Sequence, residues 1–266
     1  MTLPEGRIRR FFGPPGSPLR RRLRSLPVIG PALTASLYVY RRLRGVRIEA
    51  GLALQRAHTD FKNRRAVTAR NVARRNDRRA YERIFGDERL LSEYLAPERV
   101  SFYGEIARVA AMGRPRSVVD VGCGTGDLLR AVVEAAAPER VVGVDHATAG
   151  IRRARQLVPS GEFHLKSLYE LDLAERFDLV LCTEVLEHLA KPGAAMAVLV
   201  RLCAPSGHIV ITVPDGAQDT WEGHRNFWTA SELANFLRTY GDAEVTRMRT
   251  DPTSLFAVVK STPSLV

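Results

Sequence analysis

The 266-residue chain carries 40 lysines and arginines against 29 acids, and 45% of its residues are hydrophobic. That is room for one domain of about 150 residues and a substantial further piece. Its three cysteines, Cys123, Cys182 and Cys203, are odd in number and lack framework spacing, which speaks against a disulfide scaffold and for reduced thiols in a cytoplasmic setting.

The basic excess is uneven. Residues 1–100 hold 23 Lys and Arg and 9 Asp and Glu, a net of +14; residues 101–266 hold 17 and 20, a net of −3. Residues 1–25 combine GPPGSP with clustered arginines and are expected to lack a fixed fold. Leu26–Tyr40 has no charge and is bracketed by Arg20–Arg24 and Arg41–Arg44. It is shorter than the ~20 residues that span a bilayer, Pro27 and Pro31 disfavour a straight helix, and no convincing signal-peptide cleavage site follows. Three readings stay open: packing on the main domain, entry into an anionic membrane surface, or binding of nucleic acid or another acidic partner. Arginines flanking an apolar patch suit the membrane physically, which would make the protein peripherally membrane-associated.

Arg41 to Leu95 contains no proline and favours helix, with Arg64, Arg65, Arg70, Arg74, Arg75, Arg78 and Arg79 making it strongly cationic. This is either a solvated face or a site for phosphates or acidic lipids; few aromatics interleave, which argues against a platform for single-stranded nucleic acid. The division expected is a basic extension over residues 1–80 and a main domain over 81–266. From Tyr81 to Ala111 the pattern turns amphipathic (Tyr94, Leu95, Val100, Phe102, Tyr103, Ile106, Val109).

Ser117–Asp145 is the centre of the chain. An apolar run (Val118, Val119, Val121) meets Gly122, Gly124 and Gly126; helical spacing follows through Leu128, Leu129, Val132 and Val133 to Pro138; a second run, Val141–Val144, stops at Asp145. Strand, glycine turn, helix, strand and acid form the minimal unit for holding a nucleoside, with Asp145 placed to take ribose hydroxyls. The spacing is GxGxG, not the GxGxxG of dinucleotide sites, and no phosphate-loop lysine follows. Asp120, in the strand before the turn, would repel a pyrophosphate and suit a cation.

The alternation continues: a helix over Ala147–Leu157, strands at Phe163–Leu165 and Phe177–Leu181, a helix around Ala194–Leu202, a strand His208–Val213, a helix Ser231–Tyr240, and strands near Ala243–Met248 and Leu255–Lys260. This predicts a doubly wound, seven-stranded, mostly parallel sheet. The link between the last two strands is too short for a crossover helix, so they must pair antiparallel.

VDVGCGTG followed by VGVD resembles motifs I and II of the class I S-adenosylmethionine-dependent methyltransferases, and the likeness covers roughly residues 81–260. It implies their Rossmann-like fold, with the glycine turn facing the amino-acid half of the cofactor, Asp145 on its ribose and His146 beside its adenine. Where many members carry an aspartate after the third strand, this chain has Lys166-Ser167-Leu168, so the adenine amino group would fall to Ser167 or to backbone. Asp120 and Thr183 complete the expected cofactor-binding set.

After the fourth strand comes Glu184-Val185-Leu186-Glu187-His188. If helical, Glu184, Glu187 and His188 share one face, a set suited to a hard divalent ion such as Mg²⁺ or to acid–base work. EVLEH resembles the segment associated with a divalent cation in ubiquinone-pathway O-methyltransferases and small-RNA 2′-O-methyltransferases. His188 is therefore the candidate catalytic residue, as metal ligand, as general base, or as a group that only shapes the pocket. His224-Arg225-Asn226-Phe227-Trp228-Thr229 looks like a substrate-covering element; His224 would add a metal nitrogen or touch the acceptor, and Thr229 with Glu232 forms a capping box. The expected activity is methyl transfer to a hydroxyl of a small-molecule acceptor; the alternatives are an RNA 2′-hydroxyl and a non-catalytic adaptor on a methyltransferase fold.

Overall fold

The computed structural model describes residues 77–221 and 223–260. The expectations for residues 1–76, including the apolar stretch Leu26–Tyr40 and its membrane or nucleic-acid partners, lie outside the described residues.

The amphipathic stretch from Tyr81 is not one helix but three: α1 (Arg78–Gly86), α2 (Glu88–Tyr94) and α3 (Pro97–Met112). Two residues cause the breaks. The Asp87 carboxylate accepts the amides of Arg89 and Leu90, starting α2. Pro97 has no N–H to give and opens α3, where none is needed.

The strands are β1 (Ser117–Val121), β2 (Arg140–Asp145), β3 (Glu162–Leu165), β4 (Phe177–Thr183), β5 (Cys203–Pro214), β6 (Asp242–Arg247) and β7 (Ser254–Lys260). Between them lie α4 (Asp127–Ala136), α5 (Thr148–Leu157), α6 (Pro192–Leu202) and α7 (Ala230–Leu237). The sheet order is β3-β2-β1-β4-β5-β7-β6. β1 to β5 pair in parallel, and β7 runs antiparallel to both β5 and β6. This is the class I methyltransferase fold. The chain winds outward from β1 to β3, then returns to lay β4 on the other side of β1, so a crevice opens at the carboxyl ends of β1 and β4.

Alternation along β1 builds two apolar layers. Val119 and Val121 pack with Met196 and Leu199 of α6 and Leu233 and Leu237 of α7. Val118 packs on the opposite side with Ile106 of α3, Leu129 and Val132 of α4, and Ile151 of α5. A third cluster, Phe85, Leu91, Ala147 and Ala149, docks α1 and α2 on the start of α5. There Glu82 accepts the amides of Thr148 and Ala149 at 2.7 and 2.8 Å, satisfying first-turn donors of α5 from another helix.

Glu184–His188 departs from the helical expectation. Glu184 has φ of +56°, and Leu186–His188 is a single 3-10 turn. The Glu184 amide bonds the Thr212 carbonyl, carrying the edge of the β4–β5 pairing one residue further before the chain turns. Among the described residues, no helix is long and apolar enough to cross a membrane.

Candidate active site

The crevice is an open cleft of roughly 800 Å³, counting the space at its mouth. Tyr81, Phe85 and Tyr94 roof it; Gly122, Gly124, Asp145, Thr183, Glu184 and His188 lie along its floor and far wall. The three turn glycines have φ of +92°, +51° and +84°, a backbone region that side chains disfavour. The amides of Gly122 and Cys123 both bond the Val144 carbonyl, which fastens the turn to β2.

Asp145 closes β2 and is buried. Its Oδ2 accepts the Gly124 amide at 3.0 Å and its Oδ1 the Ala147 amide at 2.7 Å. Burial raises its pKa, and these amide bonds oppose the shift. Each oxygen keeps a lone pair for a further donor. Beside it His146 is part-exposed, with the Tyr81 ring edge-on at 5.4 Å. Ser167 lines the cleft, and its hydroxyl also accepts the Tyr169 amide at 3.4 Å at the start of a 3-10 turn. Gly126 caps α4. Asp120 is 1% exposed and its Oδ1 has no partner. Burial, reinforced by Asp145, pushes its pKa to about 8.

The expected trio divides. Glu184 turns toward β5 and α3: its Oε1 accepts the Thr212 hydroxyl at 3.0 Å, and its Oε2 lies 3.7 Å from Nη1 of Arg99. Glu187 and His188 instead meet His224, their ligand-type atoms all within 4.8 Å of one another. Both Glu187 carboxylate oxygens and Nδ1 of His188 are buried without a hydrogen-bond partner, Oε1 of Glu187 lying 3.6 Å from Nε2 of His188. Burial, reinforced by Glu184, holds the Glu187 pKa well above the usual range. Burial and then His224 depress His188 to about 3, so its imidazole is neutral at physiological pH. A neutral imidazole and orphaned carboxylate oxygens suit a cation; so low a pKa makes His188 a weak base.

Asn226 ties this cluster together. Its side-chain amide donates to the carbonyls of Leu186 and Leu189 at 2.9 and 2.8 Å, and the amides of Arg225 and Asn226 bond the Glu187 carbonyl. The loop before α7 is thereby stitched to the turn after β4. Thr229 and Glu232 form the expected capping box at the head of α7.

Three site residues escaped the sequence reading. Arg99 is hidden in a chain full of arginines, yet its guanidinium lies over the rings of Tyr94 and Phe102 at 5.2 and 5.5 Å. Tyr81 sits between His146 and His188. Asp219, 2.5 Å from Nδ1 of His224, carries no motif.

A glycine turn, a carboxylate at the end of the second strand and a cleft at the switch point define a nucleoside-binding α/β protein of the methyltransferase type. A family model described as a methyltransferase domain matches residues 94–243, and the chain belongs to that family. It is 34% identical over 103 residues to a ubiquinone biosynthesis O-methyltransferase of Alkalilimnicola ehrlichii, covering 36% of this chain and 41% of that one. It is 27% identical over 155 residues to a trans-aconitate 2-methyltransferase of Delftia acidovorans, covering 57% of each. The chain thus spans about half the length of the curated relatives it matches. Among solved structures, a DhpI–SAH complex superposes with a TM-score of 0.59 at 19% identity, covering 74% of this chain and all of that one. The N-methyltransferase NodS of Bradyrhizobium japonicum, in complex with S-adenosyl-L-homocysteine, gives 0.59 at 18% identity, covering 70% and 98%. At such identities the likeness concerns the fold.

Proposed function

We propose that this domain binds S-adenosylmethionine in the cleft and transfers its methyl group to a hydroxyl oxygen of a small-molecule acceptor, with a divalent ion at Glu187, His188 and His224. The observation that carries the reading is convergence. The glycine turn and Asp145 line the same cleft as His188, which groups with Glu187 and His224 with their ligand-type atoms within 4.8 Å of one another.

The residues fit the cofactor. Asp145 has spare lone pairs for ribose hydroxyls, and the unpartnered Oδ1 of Asp120 suits a cationic group nearby. Arg99, stacked over Tyr94 and Phe102 and 3.7 Å from the cleft-lining Glu184, makes no side-chain hydrogen bond among the described residues, which leaves its donors for a carboxylate. Bound cofactor would supply an electrophilic methyl on sulfur. The protein's part is alignment: the roof of Tyr81, Phe85 and Tyr94 excludes water, and the far wall holds the acceptor in line.

The ion differs from the sequence expectation. One carboxylate and two imidazoles suit Mn²⁺, Co²⁺ or Zn²⁺ better than Mg²⁺, and Glu184 is engaged elsewhere. Such an ion would lower the acceptor hydroxyl's pKa and orient it. Glu187 and His188 would hold it; the acceptor's proton would leave to solvent before transfer and S-adenosylhomocysteine would depart after it, so neither residue would need to act as a base.

Calorimetry with S-adenosylhomocysteine tests the cofactor reading without an acceptor. Asp145→Ala should weaken binding by ~1.5–3 kcal/mol, the range for hydrogen bonds to a charged group. A folded wild-type protein that takes neither S-adenosylmethionine nor its product would sink the assignment. The acceptor would then be sought with radiolabelled methyl groups, with and without added Mn²⁺.

A further inference from the structure

Asp219 lies in the loop between β5 and α7, outside any regular element. Its side chain is 7% exposed, and both oxygens are engaged. Oδ1 accepts the Trp221 amide at 3.0 Å, and Oδ2 lies 2.5 Å from Nδ1 of His224. The residue is also fixed from behind. Its amide donates to the Asp215 carbonyl at 2.9 Å, and the buried Asp215 carboxylate takes the Ala217 amide at 3.1 Å and the Arg247 guanidinium at 2.5 Å. That anchor fixes the Asp219 backbone, while the Trp221 amide and the His224 ring hold its carboxylate.

A carboxylate only accepts, so the ring nitrogen facing it must carry the hydrogen; a neutral imidazole then has its lone pair on the other nitrogen. Nδ1 of His224 is committed to Asp219, which leaves Nε2 as the atom presented to Glu187 and His188. The His224 and His188 rings lie 4.8 Å apart, and the Trp221 ring lies 4.6 Å from that of His224. In the opposite tautomer an N–H would point into the cluster, and one of its three donors would be lost.

We propose that Asp219 is a positioning residue that holds His224 in its Nδ1–H form and turns the bare Nε2 toward Glu187 and His188. The use of that lone pair rests on the metal reading above; the tautomer itself does not. Metal-bound histidines generally need such a partner on the far nitrogen, and its loss costs 10- to 100-fold in metal affinity.

The test uses the full chain with ¹⁵N-labelled histidine and two-bond ¹H–¹⁵N correlation, the His224 signals being assigned by their disappearance in His224→Gln. Wild type should show a protonated Nδ1 and a bare Nε2. Asp219→Asn should invert the pattern: its Oδ1 stays with the Trp221 amide, so its NH₂ faces Nδ1 and requires that nitrogen to be bare. Asp219→Ala should give a mixture. In parallel, Co²⁺ titration followed by visible absorption should show 10- to 100-fold weaker binding in Asp219→Asn. An Nε2–H form in wild type overturns the proposal, as does one unchanged tautomer across all three proteins. Should the variants fail to fold, the wild-type spectrum alone still decides. Absence of Co²⁺ binding by wild type would overturn the metal reading instead, while the nitrogen shifts continue to judge this one.

Discussion

A Cβ built on Gly122 would sit 2.4 Å from Cγ2 of Val185, on a backbone with φ of +92°. Both the conformation and the space therefore exclude a side chain, and Val185 follows the strained Glu184, so the neighbour has little freedom to yield. Gly122→Ala should destabilise the domain by roughly 2–4 kcal/mol, from positive φ and overpacking together, and weaken S-adenosylhomocysteine binding. Gly104 in α3 is the control, because an added methyl there meets nothing within 4 Å. Gly104→Ala should stabilise by up to ~1 kcal/mol through helix propensity alone. Urea unfolding of both variants checks the pair; equal effects would mean that the turn is not held as described.

At the scale of elements, strands were legible where a short apolar run meets a breaker or an acid, as Val118–Val121 meets Gly122, Val141–Val144 meets Asp145 and His208–Val213 meets Pro214. Val118–Val121, Val141–Val144 and Phe177–Leu181 all became parallel strands of the central sheet. The turn after β4 was not legible. Its letters satisfy helical spacing, but what shapes it lies far along the chain: Thr212 holds the Glu184 amide, and Asn226 holds the carbonyls of Leu186 and Leu189. No local pattern records a bond forty residues away. Asp219 was missed for a related reason, since its role depends on a fold of the loop that brings it onto His224. The breaks at Asp87 and Pro97, by contrast, follow ordinary capping chemistry and were open to a closer reading. Asn226→Ala should cost about 1–3 kcal/mol, the penalty for leaving buried carbonyls unpaired, and detach the loop from the turn. The expected signature is a large fall in methyl transfer with cofactor affinity within about twofold of wild type. A variant equally impaired in S-adenosylhomocysteine binding would show that Asn226 supports the whole cleft instead.

Over the whole molecule, the cleft sets how stability depends on pH. Asp120 titrates at about 8 in the fold, well above an unfolded aspartate, because burial and then Asp145 disfavour its charge. Its contribution is complete below about pH 4 and is lost as pH rises through 8. His188 runs the other way: depressed to about 3, its contribution is complete above about 6.5 and is lost as pH falls through 3. Below 6.5 the two oppose each other; above it Asp120 acts together with Glu187, whose pKa burial raises in the same sense. The ligand-free protein should therefore be more stable at pH 6 than at pH 8, by on the order of 1 kcal/mol per pH unit near neutrality. Asp120→Asn should reduce that slope in urea titrations, leaving the part that Glu187 contributes. A wild-type protein more stable at pH 8 would contradict the assignment.

The unpartnered atoms of Glu187 and His188 have one more consequence. A cage of buried donors facing one another is a local conflict in the fold, and an ion that relieves it becomes part of the folding equilibrium. Loading can then be followed by melting alone, with no acceptor known. At an ion concentration 100 times its dissociation constant, the gain of about 2.7 kcal/mol corresponds to roughly 5–10 °C in Tm for a domain of this size. Dialysis against EDTA should lower the Tm by that amount, and a panel of Mg²⁺, Mn²⁺, Co²⁺ and Zn²⁺ should restore it in the order of their affinities for the site. The thermometer would read the site before the chemistry is found.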